Sequence, residues 1–253
     1  MFFINLLINF IFKYTKVIFA YKKMNKVNKI GCIIFARYNS KRFPGKVLNK
    51  IGKKTLLEII YLRSRLVFSK NRIVIATTKK KSDLPIIQFC KNNKILFYRG
   101  SSDNLIKRSI DCCKKFKFSG FARICGDRPI FDYQLLNKML KIYNNNRYDL
   151  VTNCFPKTFP SGLTNEIISL KTLISINKKK NLLKEDKEHM INYIYKNHDN
   201  FNILNIKSNF KKKFKKLNFS INKKKDVNFI FKILRKKNMN YTLPTKSYLN
   251  FLI

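Results

Sequence analysis

The run IGCIIFARYNSKRFPGK, Ile30 to Lys46, decides how this chain is read. Its first half, Ile30 to Ala36, is a short β-rich stretch. Its second half gathers cations, among them Arg37, Arg42 and Lys46, with a small hydroxyl (Ser40) and the turn Pro44-Gly45, which can bring backbone N–H groups toward an anion. A triphosphate needs several positive charges and a tight backbone of this kind. A basic surface loop is equally compatible with so lysine-rich a chain, and composition alone leaves both readings open. The G-x-x-x-x-G-K-[ST] spacing is absent, so this is not a Walker loop.

Working outward, β-rich runs at Arg72 to Thr77, Ile95 to Tyr98, Phe121 to Cys125 and Tyr148 to Asn153 alternate with helical patterns. The helical patterns are Thr55 to Phe68, Ser82 to Asn92, Asp103 to Phe116 and Tyr133 to Asn144, with apolar positions three and four apart. This alternation predicts βαβ units and a mostly parallel sheet. Such a sheet binds ligands at the carboxyl ends of its strands, which singles out the loops after Ala36 and Cys125. Beyond Asn153 come a Pro-Gly turn at Phe159 to Gly162, a short strand at Glu166 to Leu170 and helices at Lys171 to Asn177 and Lys187 to Lys196. Two further strands are expected at Phe201 to Ile206 and Leu217 to Ile221, followed by a helix at Asp226 to Arg235.

The chain has 253 residues, 45% of them hydrophobic, enough to bury a core. Its 55 Lys+Arg against 13 Asp+Glu give a formal charge of +42. Such charge fits a nucleic-acid binder, but frequent lysine, asparagine, isoleucine and phenylalanine with no tryptophan also mark an AT-rich coding sequence. The second reading spreads the charge over solvated faces, and no nucleic-acid partner is then expected. Six cysteines form no C-x-x-C pair and lie away from His189 and His198, which disfavours a standard zinc site. Reduced thiols in a cytoplasmic protein are the expectation. Residues 1–28 read as an apolar and basic extension, with Met24 as a second candidate start. Asn5, Asn9, Lys13 and Lys16 interrupt its apolar run, so no membrane span is expected.

The stretch from Ile33 to Leu48 resembles the opening motif of the cytidylyltransferases that make CMP-activated sugar acids, and most of all the spore-coat polysaccharide biosynthesis protein F branch. Further matches follow in order: LLEII at Leu56 to Ile60, VIATT at Val74 to Thr78, YRGS at Tyr98 to Ser101, RICGDRPI at Arg123 to Ile130, FPSGL at Phe159 to Leu163, and Glu188-His189. The resemblance spans nearly all of residues 29–237, leaving 238–253 as a C-terminal tail.

The resemblance implies a three-layer α/β/α, Rossmann-like fold of the nucleotide-diphospho-sugar transferase kind, with a mostly parallel mixed sheet. It implies CTP and a sugar acid as substrates and Mg²⁺ as cofactor. Arg37, Lys46 and Asp127 would be catalytic. Ala36, Arg37, Ser40, Lys46, Arg108 and Gly126 would bind the nucleotide, and Glu166, Glu188 and His189 the sugar. Asp127 and Asn222 would hold the metal. Two positions depart from the family pattern: Thr164 stands where it usually has an aspartate in G-L-D-x-E, and Asn222 where a metal-binding aspartate is usual. A nucleotide-sugar transferase, or a homologue of low activity on the same fold, is the alternative. A homodimer through about residues 156–196 is a further expectation.

Overall fold

The computed structural model describes residues 29–250 apart from Lys41 and Asn146, and the side chain of Lys213 is left aside. The readings made for residues 1–28 therefore fall outside it. The strands are β1 (Ile30–Phe35), β2 (Lys50–Ile51), β3 (Lys54–Thr55), β4 (Ile73–Thr78), β5 (Leu96–Gly100), β6 (Gly120–Cys125), β7 (Leu150–Thr152), β8 (Glu166–Ser169) and β9 (Ile203–Asn205). The helices are α1 (Leu56–Arg65), α2 (Leu84–Asn92), α3 (Leu105–Phe116), α4 (Tyr133–Asn145), α5 (Leu170–Asn177), α6 (Lys184–Glu188), α7 (Asn192–Lys196), α8 (Lys212–Lys215), α9 (Lys224–Arg235) and α10 (Thr245–Leu249).

Seven strands form one sheet in the order β5-β4-β1-β6-β8-β7-β9, and β2 and β3 form a small hairpin. All neighbours pair in parallel except at β8, which is antiparallel to both β6 and β7. The expected mostly parallel mixed sheet is therefore present. Alternate residues of β1 separate its two faces: Ile30, Cys32 and Ile34 pack with α1, α2, α4, α9 and α10, while Ile33 packs with α3, α5 and the α6–α7 region. That gives the three layers. The chain builds outward from β1 through β4 to β5, then returns through α3 on the other face to β6. Right-handed crossovers require that change of face.

Local chemistry sets the helix ends. Thr55 caps α1 by accepting from the Glu58 N–H (3.2 Å), Asn104 caps α3 through the Lys107 N–H (2.8 Å), and Ser169 caps α5 through Thr172 (2.8 Å). The helix expected over Lys187 to Lys196 is broken at His189, where the backbone leaves the helical region. The break lets Met190 and Ile191 both turn into the core.

The strand expected at Leu217 to Ile221 does not form; a single bridge pairs Ser161 with Asn218. The Asn218 side chain bonds both the N–H (3.0 Å) and the carbonyl (3.2 Å) of Ser220, using groups a ladder would need. The segment instead lies across the carboxyl end of the sheet, with Phe219 N–H on Ser161 O (2.7 Å) and Ile221 N–H on Asp127 O (2.8 Å).

Residues 238–249, set apart above as a tail, contribute Tyr241, Tyr248 and Leu249 to the core. Their anchor is Arg63 of α1, which is fully buried. Its guanidinium donates to the carbonyls of Phe131 (2.8 Å), Tyr241 (3.0 Å) and Leu243 (2.9 Å) and to the Thr245 hydroxyl (2.8 Å). The rings of Phe131, Tyr133 and Tyr248 surround it at 5.1 to 5.7 Å. Arg63→Met fills similar space but strands these acceptors in the core, each at about 1–3 kcal/mol. We expect it to lower unfolding stability by about 3 kcal/mol or more, read as a reduced midpoint in urea; an unchanged midpoint refutes the anchoring role.

Candidate active site

Strand order reverses at β1, whose neighbours β4 and β6 lead in opposite directions, so a crevice opens between the loops after β1 and β6. The first loop is built on its own backbone. The Tyr38 carbonyl accepts from Ser40 (3.0 Å) and Gly45 (2.7 Å). Gly45 takes φ +70, and a Cβ there would lie 3.2 Å from the Tyr38 ring.

Asp83 ties this loop to the end of β4. It accepts from Tyr38 N–H (2.8 Å) and Thr78 N–H (3.1 Å) and from the Thr78 hydroxyl. Burial pushes its pKa upward, but the hydrogen bonds from Thr78 and Tyr38 outweigh that and hold it below the ordinary aspartate value.

The second loop starts at Gly126, whose N–H donates to Phe35 O at 2.8 Å. A Cβ on Gly126 would stand 2.9 Å from that same oxygen, so only glycine lets the two loops approach. Asp127 follows. Lys46 spans the crevice from the first loop, with Nζ 3.1 Å from Asp127 Oδ2 and 2.9 Å from Ile221 O. Arg42 reaches Asn222 Oδ1 at 3.3 Å. Asp226 positions Asn222 by accepting its N–H (2.7 Å) and that of Lys223 (2.8 Å).

Arg42, Lys46, Gly126 and Asp127 help wall a cleft of about 640 Å³. Of the residues expected from sequence, Ala36, Arg37, Ser40, Lys46, Arg108, Gly126, Asp127, Glu188 and His189 all line it. Arg37 and Glu188 meet at 3.6 Å, both half-exposed. Asn222 lines an adjoining cavity of about 430 Å³ that shares Cys125 and Asp127 with the first. Glu166 lines neither. It is buried, with one carboxylate oxygen on Arg123 and the other accepting from Tyr195 Oη (3.0 Å). Burial raises its pKa and the cations Arg123 and Arg128 lower it, with the net shift downward. With both oxygens engaged, Glu166 holds Arg123 in place instead of offering itself to a sugar.

Two site-building residues were not assigned from sequence. Arg123 carried a signal, as a charge within the apolar strand GFARIC. Asp83 carried one too, directly before the Leu84-Pro85 helix start.

Among the described residues no three His, Cys, Asp or Glu side chains cluster as a metal centre. One carboxylate, Asp127, in a cationic cleft still fits a hard dication, which takes one or two carboxylates and completes its shell with water and phosphate oxygens. No helix among the described residues is long and apolar enough to cross a membrane.

The sequence profile of the family described as cytidylyltransferase matches residues 31–246. The spore coat polysaccharide biosynthesis protein SpsF of Bacillus subtilis is 32% identical over 178 residues, spanning 68% of this chain and 72% of that protein. A 3-deoxy-manno-octulosonate cytidylyltransferase of Fusobacterium nucleatum is 26% identical over 116 residues, 46% of each chain. Among solved structures, a cytidylyltransferase from Leptospira borgpetersenii matches with a TM-score of 0.81 at 26% identity, covering 88% of this chain and 93% of that one. The CMP:2-keto-3-deoxy-manno-octonic acid synthetase solved with CTP shares the fold, with a TM-score of 0.61 at 12% identity over 82% and 99% of the chains.

The Asp83 clamp has a pH signature. Its depressed folded-state pKa gives stability that is present above the unfolded aspartate value of about 3.9 and is lost as pH falls through the folded value. Between about pH 5 and pH 3, wild type should lose more unfolding free energy than Asp83→Asn. Parallel pH curves for the two proteins rule out the clamp.

Proposed function

The chain belongs to the cytidylyltransferase family, and from that premise we propose that it joins CMP from CTP to a sugar acid, releasing pyrophosphate, for surface polysaccharide or glycan synthesis. The observation that carries this reading is the Lys46–Asp127 pair at the switch point, where a cationic loop meets a single carboxylate at the floor of a cleft.

In this reading the nucleotide lies along the first loop. Arg37, Ser40 and Lys46 hold its phosphates, and the backbone at Ala36 and Gly126 sets how closely it approaches the sheet. The sugar hydroxyl forms a bond to the α-phosphorus and gives up its proton to solvent, while the bond to the pyrophosphate oxygen breaks, the electron pair leaving with pyrophosphate. Such an in-line displacement calls for alignment and for neutralisation of the developing charge, without a covalent protein nucleophile. Lys46 supplies charge at the leaving side. Its ion pair with Asp127 keeps the ammonium on the cleft floor before substrate arrives.

Asp127 and Asn222 would hold Mg²⁺, which when bound neutralises phosphate charge. An amide oxygen at 222 adds a ligand without a charge, so Mg²⁺ is held more weakly than by two carboxylates. Glu188 and His189, at the end of α6, face the same cleft and are assigned to the sugar.

The test is pyrophosphate release by the full chain with CTP and Mg²⁺ over a panel of sialic-type and octulosonic acids. Release dependent on one sugar, lost on chelation and restored by Mg²⁺, is expected. Lys46→Ala and Asp127→Ala should each reduce kcat by about 10²-fold or more, the scale of one electrostatic contact at the reacting centre. Normal turnover by both variants refutes the assignment. Asn222→Asp should lower the Mg²⁺ concentration for half-maximal rate; an unchanged or higher requirement removes residue 222 from the metal site.

A further inference from the structure

Lys46 is held more tightly than a group waiting for phosphate needs to be. An ammonium carries three N–H donors. Two of them are engaged inside the protein, on Asp127 Oδ2 (3.1 Å) and on the Ile221 carbonyl (2.9 Å), and the side chain is only 12% exposed. Two oxygens from separate segments thus converge on one point, and a cation occupies it. A main-chain bond from Ile221 N–H to Asp127 O (2.8 Å) ties the two segments together, so the cradle is built without help from Lys46. Beside it, Asn222 Oδ1 accepts from Arg42 (3.3 Å), and Asp226 holds the Asn222 backbone.

A carboxylate, a main-chain carbonyl and a carboxamide oxygen are all donors that a hard dication accepts. The first loop lays a cation on each: Lys46 on Asp127 and Ile221, Arg42 on Asn222. Lys46 cannot serve the phosphates fully and stay there. We propose that the divalent-ion site is the cradle filled by the Lys46 ammonium, with the Ile221 carbonyl as a ligand beside Asp127 and Asn222, and that the free enzyme keeps it closed until a triphosphate draws Lys46 and Arg42 away. This rests on the reading of the function given above, which puts the ion and the phosphates in this cleft.

The chemistry favours the nucleotide as the opener. A tethered ammonium competes with a dissolved ion at high effective concentration. A triphosphate instead offers Lys46 and Arg42 charged acceptors in exchange for those they release. Only the flexible lysine stem has to turn. The loop backbone stays fixed through Gly45 N–H on Tyr38 O (2.7 Å) and the buried Val47. Arg42 is exposed and its bond is longer, so Lys46 is the stronger closure.

The experiment uses Mn²⁺ alone as the probe and follows free Mn²⁺ by electron paramagnetic resonance, without nucleotide or turnover. Wild type should bind Mn²⁺ weakly. Lys46→Met, which keeps the length of the stem, should bind it about 10- to 100-fold more tightly, the worth of hydrogen bonds made by a charged group. Equal affinity in the two proteins overturns the proposal. Arg42→Met should give a smaller gain, and a larger one than Lys46→Met overturns the ranking of the two closures. Lys80→Met removes another exposed cation of the same cleft and should stay within about twofold of wild type; a gain equal to that of Lys46→Met makes the effect one of general charge and overturns the closure. The double variant Lys46→Met, Asp127→Asn should lose the gain, and keeping it moves the ion elsewhere. If Lys46→Met melts well below wild type, Lys46→Gln replaces it throughout the series. Bound Mn²⁺ should also broaden the carbonyl ¹³C resonance of Ile221 in Lys46→Met beyond detection, whereas a sharp signal takes Ile221 out of the site. Calorimetry in EDTA should show CTP binding to wild type, because the phosphates act before the ion; binding that appears only with metal reverses the order and overturns the closure. If wild type binds no CTP with or without metal, the cytidylyltransferase reading fails, and the Mn²⁺ series on the free proteins still tests the cradle.

Discussion

Everything in the cleft depends on how closely two loops can come together at one point of the sheet. The Gly126 N–H reaches the Phe35 carbonyl across the ends of β6 and β1, and there is no room for a side chain at that contact. The contact sets the distance between the cationic loop and Asp127, which Lys46 then spans. Asp83 fixes the other flank of the same loop to β4. The loop is thus held from two strands, and its charges point into a space that the backbone has already shaped.

Electrostatics gives that space its character. The cleft wall brings together more guanidinium and ammonium groups than carboxylates, and the carboxylates present are already engaged: Asp127 by Lys46 and Glu188 by Arg37. Deeper in, Glu166 is committed to Arg123 and Tyr195. A free protein in this state carries repulsion that a polyanionic ligand relieves, which favours binding over resting stability. The overall charge of +42 has little part in this, since among the described lysines only Lys46 and Lys80 line the cleft.

Much of this was legible in the sequence because the informative elements are local. Strand-like runs beside three- and four-residue helical spacing gave the parallel half of the sheet, and the loop after Ala36 advertised its cations. The misreadings came where distant partners decide. Leu217 to Ile221 has a strand's pattern, but Asn218 bonds its own backbone and the segment crosses the sheet ends. Lys187 to Lys196 has a helix's pattern, but burying Met190 and Ile191 breaks it. Glu166 matched a motif position, yet no local signal could disclose that Arg123 and Tyr195 take both its oxygens. Residue type predicted the cleft better than it predicted which groups remain free within it.

The Arg63 clasp bears on the order in which the molecule can be completed during synthesis. Arg63 lies in the first helix of the domain, but three of its four acceptors, Tyr241, Leu243 and Thr245, lie almost two hundred positions later on the growing chain. Until they emerge, a cation sits among the rings of Phe131 and Tyr133 with much of its hydrogen bonding unmet. The early sheet can form while the ribosome is still at work, but its α1 face is sealed only once residues 241–245 have emerged, which makes their docking on Arg63 a late folding step.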